Sequence, residues 1–111
     1  IDACLEALRP GTTVGEIYDT HLRSLTAAGF GDAALAACGY TLGIAYPPSW
    51  MDWPMMWTGN PWVIEEGMVF FMHMILFDAD ANLSMCIGET AIVTSGAAER
   101  VNHIPRECIV K

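Results

Sequence analysis

From Met68 to Phe77 the chain runs through ten residues of which only His73 is polar. Asp78-Ala79-Asp80-Ala81-Asn82 follows, and then a second, largely apolar run from Leu83 to Val93. Two strand-length apolar runs around a short Asp- and Asn-rich connection predict a β-hairpin over 68–77 and 83–93. If all five residues 78–82 form the loop, Phe77 faces Leu83, Ile75 faces Met85, His73 faces Ile87 and Phe71 faces Glu89. Side chains alternate along a strand, so this register puts His73 and Glu89 on one face as diagonal neighbours, with Cα atoms roughly 7–8 Å apart. Val69, Phe71, Ile75, Met85, Ile87 and Ala91 share that face. A carboxylate among them is costly unless paired, coordinated or protonated. Two readings follow: a site in the concavity of a curved sheet, or an edge Glu that reaches water beside a core His bonded to backbone.

The rest of the pattern is helical first and loop-like later. Residues 1–8 read as the end of a helix, with Leu5 and Leu8 apolar and Pro10-Gly11 ending it. Thr13 and Glu16 have capping-box spacing. The helix they open should reach about Ala28, with Val14, Ile17, Tyr18, Leu22 and Leu25 as its apolar stripe, His21 at the edge of that stripe, and Gly29 just past the end. Residues 38–46 have strand composition, with Gly39 and Gly43 marking bends or close backbone approach. Residues 49–62 then hold all four tryptophans, Trp50, Trp53, Trp57 and Trp62, among three methionines and two prolines, and read as a loop. So aromatic a loop either lines a pocket or packs on another domain or subunit. A turn at 94–96, a polar stretch containing His103 and a short end segment complete the chain.

Composition narrows the classes. The 111 residues suit a single domain with a modest core, and 53% hydrophobic against 16% charged residues suggests burial against something outside the chain. A net charge of −8 with only five Lys and Arg leaves nothing to neutralise phosphates, so a nucleic-acid partner is not expected. Cys4, Cys38, Cys86 and Cys108 lack metal-knuckle or redox-motif spacing, and their apolar contexts suggest buried thiols in a reducing, cytoplasmic setting. No run of 18 apolar residues is present, so no membrane partner is expected. The first residue is Ile1, and we expect the chain to begin inside a longer product.

The order of motifs resembles the second half of the pita-bread fold of the methionine aminopeptidase, Xaa-Pro aminopeptidase/prolidase and creatinase superfamily. Residues 9–17 (Arg9-Pro10-Gly11-Thr12-Thr13-Val14-Gly15-Glu16-Ile17) resemble the opening of its long helix. Gly39-Tyr40-Thr41-Leu42-Gly43 resembles its Gly-His-Gly-Ile-Gly strand, and Gly67-Met68-Val69-Phe70 its Pro-Gly-Met-Val-Phe turn. Glu89-Thr90 resembles the Glu-Asp near the end of its hairpin, and Ile92-Val93-Thr94 continues that strand. The resemblance covers nearly the whole chain. It implies an α+β fold in which a curved antiparallel sheet carries a long helix on its outer face, with residues 1–111 forming one partial domain, the C-terminal half of the catalytic domain.

In metal-dependent relatives this half supplies one His and two Glu. Here Tyr40 stands at the His, His73 at the first Glu, and Glu89 at the second. No metal is expected from these residues, and manganese, cobalt or zinc only if an N-terminal half supplies ligands. Gly39-Tyr40 and Tyr46-Pro47-Pro48 look most like the ectoine-hydrolase and creatinase branches. The resemblance therefore implies a hydrolase of amide or amidine C–N bonds in a small or dipeptide-like substrate, active when full length, with the fragment alone inactive. Glu89 and His73 would be the catalytic pair; Tyr40, Trp50, Trp53 and Trp57 would bind substrate. A homodimer, or packing against the rest of the full-length protein, would cover the sheet. The alternatives are a non-catalytic pita-bread domain that binds a peptide or protein, and a dinuclear metallopeptidase with shifted ligands.

Overall fold

A computed structural model describes residues 1–111. Helix α1 (Asp2–Ala7) is short, and helix α2 (Val14–Ala27) starts where the sequence places it. The Thr13 side chain accepts from the Glu16 amide while the Glu16 carboxylate accepts from the Thr13 amide, so two orphan donors at the helix start are satisfied reciprocally. Gly29, at φ +85°, takes the left-handed position just beyond the helix end. Gly15 lies against residue 60, where its amide donates to the Asn60 carbonyl at 3.1 Å. A Cβ at position 15 would lie 2.8 Å from both the Asn60 nitrogen and oxygen.

Five antiparallel strands form one sheet in the order β2-β1-β3-β4-β5. They are β1 (Gly39–Thr41), β2 (Asp52–Met55), β3 (Val69–Asp78), β4 (Leu83–Ile92) and β5 (Glu99–Arg100). The hairpin β3–β4 is its spine, and the two faces of β3 differ. Phe70, Met72 and Met74 point to the helices and join Leu8, Val14, Ile17 and Tyr18 in the core. Phe71, His73 and Ile75 point the other way and are only half-buried. Burying one face against helices while the other stays open is the α+β arrangement the alternation allows.

The structure corrects four expectations. Asp78 belongs to β3 and pairs with Leu83, so the loop has four residues and not five. Its carboxylate accepts from the Ala81 amide, and Asn82 adopts φ +53°, which closes the tighter turn. Every pairing in the hairpin therefore moves by one, and Met72, not Phe71, faces Glu89. Second, the strand expected over 38–46 is confined to β1, and a strand, β2, lies inside the expected Trp-rich loop. Pro54 is tolerated there because β2 is the sheet edge, where a missing amide costs no ladder bond. Third, His21 is buried, at 4% exposure, instead of edging the helix stripe. Fourth, Cys86 and Cys108 are exposed; only Cys4 and Cys38 are buried.

Candidate active site

Tyr40 pairs with Phe71, and His73 follows Phe71 by two residues, so all three side chains stand on the sheet face away from the helices, with Tyr40 buried and Phe71 and His73 half-buried. They touch as an aromatic cluster. Ring centroids are 5.6 Å apart for Tyr40 and Phe71, 6.0 Å for Tyr40 and His73, and 5.2 Å for Phe71 and His73. The residue of β4 opposite His73 is Gly88. The Trp50 indole N–H donates to the Tyr40 hydroxyl at 3.2 Å. Because the indole only donates, the phenol accepts from it and keeps its own proton to give elsewhere. The Trp-rich stretch is thus tied to the open face at one point.

Glu89 lies on the opposite face. It is 1% exposed, shares that face with Met72, Met74 and Ala91, and accepts from Arg100 Nε at 2.9 Å through Oε2. Its Oε1 is buried without a partner. Arg100 reaches it because β5 pairs with β4, Arg100 against Ala91, which puts both side chains on the helix side. The expected pairing of Glu89 with His73 is therefore corrected: the one-residue shift of the turn sends the carboxylate through the sheet and brings Gly88 to the face of His73.

The remaining expected substrate-binding residues are dispersed. Trp53 lines a shallow recess with Thr41, Asp52 and Trp62, and Trp57 stands in a turn where the Asn60 amide donates to its carbonyl. Trp50, Trp53 and Trp62 are all about half exposed, at 62%, 58% and 46%. Neither Phe71 nor Gly88 was among the expected site residues. The signal that finds them is parity, once the loop length is known.

The largest cavity, about 580 Å³, is elsewhere. It opens on the helix side, between α2 and the outer part of the hairpin, and His21, Met74, Met85, Ile87 and Arg100 line it with His103. Burial holds the His21 imidazole below its usual pKa, so it stays neutral at neutral pH. Burial also pushes the Cys4 and Cys38 thiols up, which makes them poor nucleophiles.

Residues 1–95 match the family model described as metallopeptidase family M24. The chain belongs to this family. Among curated relatives, the ectoine hydrolase of Halomonas elongata is 31% identical over 112 residues, covering 100% of this chain and 27% of the relative. Among solved structures, dipeptidase PepE from Mycobacterium ulcerans superposes with a TM-score of 0.84 at 24% identity, covering 96% of this chain and 27% of that one. The prolidase from Pyrococcus horikoshii OT3 does so with a TM-score of 0.83 at 21% identity, covering 97% and 30%. These likenesses establish the pita-bread fold. The chain spans about 27–30% of the length of the relatives it matches.

The family's name implies a metal, and the residues on the open face do not fit one. Two-ion hydrolytic centres hold their ions about 3.5–4 Å apart and rely on oxygen donors that bridge them. Here Tyr40 offers a phenol, His73 one imidazole and Gly88 no side chain, and no three His, Cys, Asp or Glu side chains stand together. The buried carboxylate nearest in sequence, Glu89, is held by Arg100 on the other face.

Proposed function

We propose that this chain is part of a hydrolase that cleaves a C–N bond, amide or amidine, in a small or dipeptide-like molecule, with an altered site in which His73 is the acid–base group. The observation that carries the reading is the cluster on the face away from the helices, where an imidazole and a phenol pack edge-on with ring centroids 6.0 Å apart. Membership of family M24 and the 31% identity to an ectoine hydrolase support the reaction class. The His73 imidazole takes a proton from water as the oxygen adds to the carbon of the C–N bond. The Tyr40 hydroxyl, already accepting from Trp50, donates to the oxygen or nitrogen that gains charge. The imidazolium then returns its proton to the leaving nitrogen, which closes the proton balance. Glu89, buried behind Gly88, anchors β5 and holds the strand that carries the site. Four unbridged cysteines support a reducing, cytoplasmic setting.

The test is the pH–rate profile of the full-length enzyme. His73→Asn is expected to lower kcat/KM by roughly 10²–10⁴-fold and to remove one limb of the profile. Tyr40→Phe is expected to lower kcat more than it changes KM. Retention of both limbs in His73→Asn would overturn the assignment. A second reading, a non-catalytic domain that binds a protein or peptide, draws on the exposed Trp50, Trp53 and Trp62. It forecasts no turnover in any variant, and a binding surface that Trp53→Ala weakens.

A further inference from the structure

Tyr40 shares its sheet face with Phe71 and His73, yet it is 4% exposed whereas they are half-buried. Trp50 lies against its hydroxyl end, with the indole N–H donating to the phenol oxygen at 3.2 Å. Trp50 itself belongs to residues 43–51, which are exposed and lie outside every strand. The bond from Trp50 is the side-chain hydrogen bond that ties this stretch to the sheet. We infer that Trp50 is a positioning residue: its N–H fixes the direction in which the Tyr40 hydroxyl donates, and it acts on the reaction through Tyr40 without touching the substrate. The inference rests on the reading of Tyr40 as the donor to the oxygen or nitrogen that gains charge.

A phenol O–H prefers the plane of its ring, because the oxygen is conjugated with it, so the proton has two favoured directions. An indole N–H only donates. Where it meets the phenol oxygen it takes an acceptor position, and the phenol proton turns to the other side. The ring cannot easily follow, because it is packed against Phe71 and His73 with centroids 5.6 and 6.0 Å away. Rotation of the O–H is the freedom left to Tyr40, and Trp50 removes it. Accepting one bond also polarises the O–H and strengthens the bond it gives, an effect that grows as water is excluded. A donor already aimed where charge develops has no reorganisation to undergo during the reaction. Phenylalanine at position 50 keeps an aromatic ring there and removes both effects.

The experiment uses full-length enzyme and the dipeptide that native protein hydrolyses fastest. Trp50→Phe is expected to lower kcat by about 3–10-fold with KM within about twofold of native. In a Tyr40→Phe background the same substitution should lower kcat by less than about twofold, because its route is gone. Equal losses in both backgrounds, or native kcat in Trp50→Phe beside an impaired Tyr40→Phe, would overturn the inference and leave the hydrolase reading standing. Native kcat in Tyr40→Phe would instead overturn the donor role of Tyr40, and this inference with it. A second readout is independent of turnover. The Trp50 indole N–H resonance, assigned by its loss in Trp50→Phe, should move in Tyr40→Phe while those of the other three tryptophans hold their places. An unmoved Trp50 resonance would overturn the contact itself.

Discussion

Arg100→Met removes the only partner that the buried Glu89 carboxylate has. Glu89 is 1% exposed, one of its oxygens is unpartnered already, and the other is held at 2.9 Å by an Arg100 side chain that is 27% exposed. Taking one member from a buried ion pair costs about 3–5 kcal/mol, whereas exposed pairs contribute about 0–1 kcal/mol. The partial exposure of Arg100 lets water reach the stranded group and moves the expectation down, to about 2–4 kcal/mol. The assay is urea unfolding at pH 7 with the m-value checked for constancy, so that a shift in midpoint reads as stability. Arg106→Met, which breaks the exposed pair of Arg106 with Asp2, is the internal control and should cost less than about 1 kcal/mol. Glu89→Leu with Arg100→Met should recover much of the loss, because apolar replacement of both partners removes the stranded charge. An Arg100→Met cost below about 0.5 kcal/mol, or one no larger than that of Arg106→Met, would refute the placement of Glu89 behind the sheet.

Three further outcomes follow from packing and protonation. Gly15→Ala should destabilise by about 1–3 kcal/mol, because the Asn60 backbone blocks the new methyl and outweighs the roughly 1 kcal/mol that alanine gains in a helix; thermal denaturation reads the sign. His21 has a depressed folded pKa, so the unfolded chain takes up its proton first and stability should fall as pH drops below about 6.5. The fall should be shallower in His21→Leu, and parallel curves would exclude His21 as its source. Thiol titration of native protein at pH 8 should show Cys86 and Cys108 reacting fast, with Cys4 and Cys38 reacting only on unfolding.

Local signals were legible where they had one solution. The Thr13–Glu16 capping box and the spacing of Val14, Ile17 and Tyr18 define α2 without help from the rest of the fold. The hairpin was legible as a hairpin, but its register was not. Both faces of β3 are apolar, with Phe70, Met72 and Met74 on one and Phe71, His73 and Ile75 on the other, so hydrophobicity could not say which faces the helices. Asp78 is a turn-type residue that ends up paired in the strand, and its bond to Ala81 is visible only in three dimensions. That single residue moved Glu89 from one face to the other and brought Gly88 to His73. Strand β2 was hidden by Pro54, whose tolerance depends on the edge position that topology supplies. His21 was hidden for a related reason, since the sheet and C-terminal segment that line its cavity come from residues far along the chain.

In the proposed hydrolase the sheet face bearing Tyr40 and His73 would do the chemistry while Glu89 supports it from behind. Turnover per folded molecule of full-length His73→Asn and Glu89→Gln, measured side by side on preparations whose folded fraction is known, tests it most directly. The expected result is a loss of roughly 10²–10⁴-fold in His73→Asn, and turnover within about threefold of native in Glu89→Gln, whose cost appears in Tm instead. The reverse pattern, native turnover in His73→Asn and a loss of two orders of magnitude or more in folded Glu89→Gln, would contradict it.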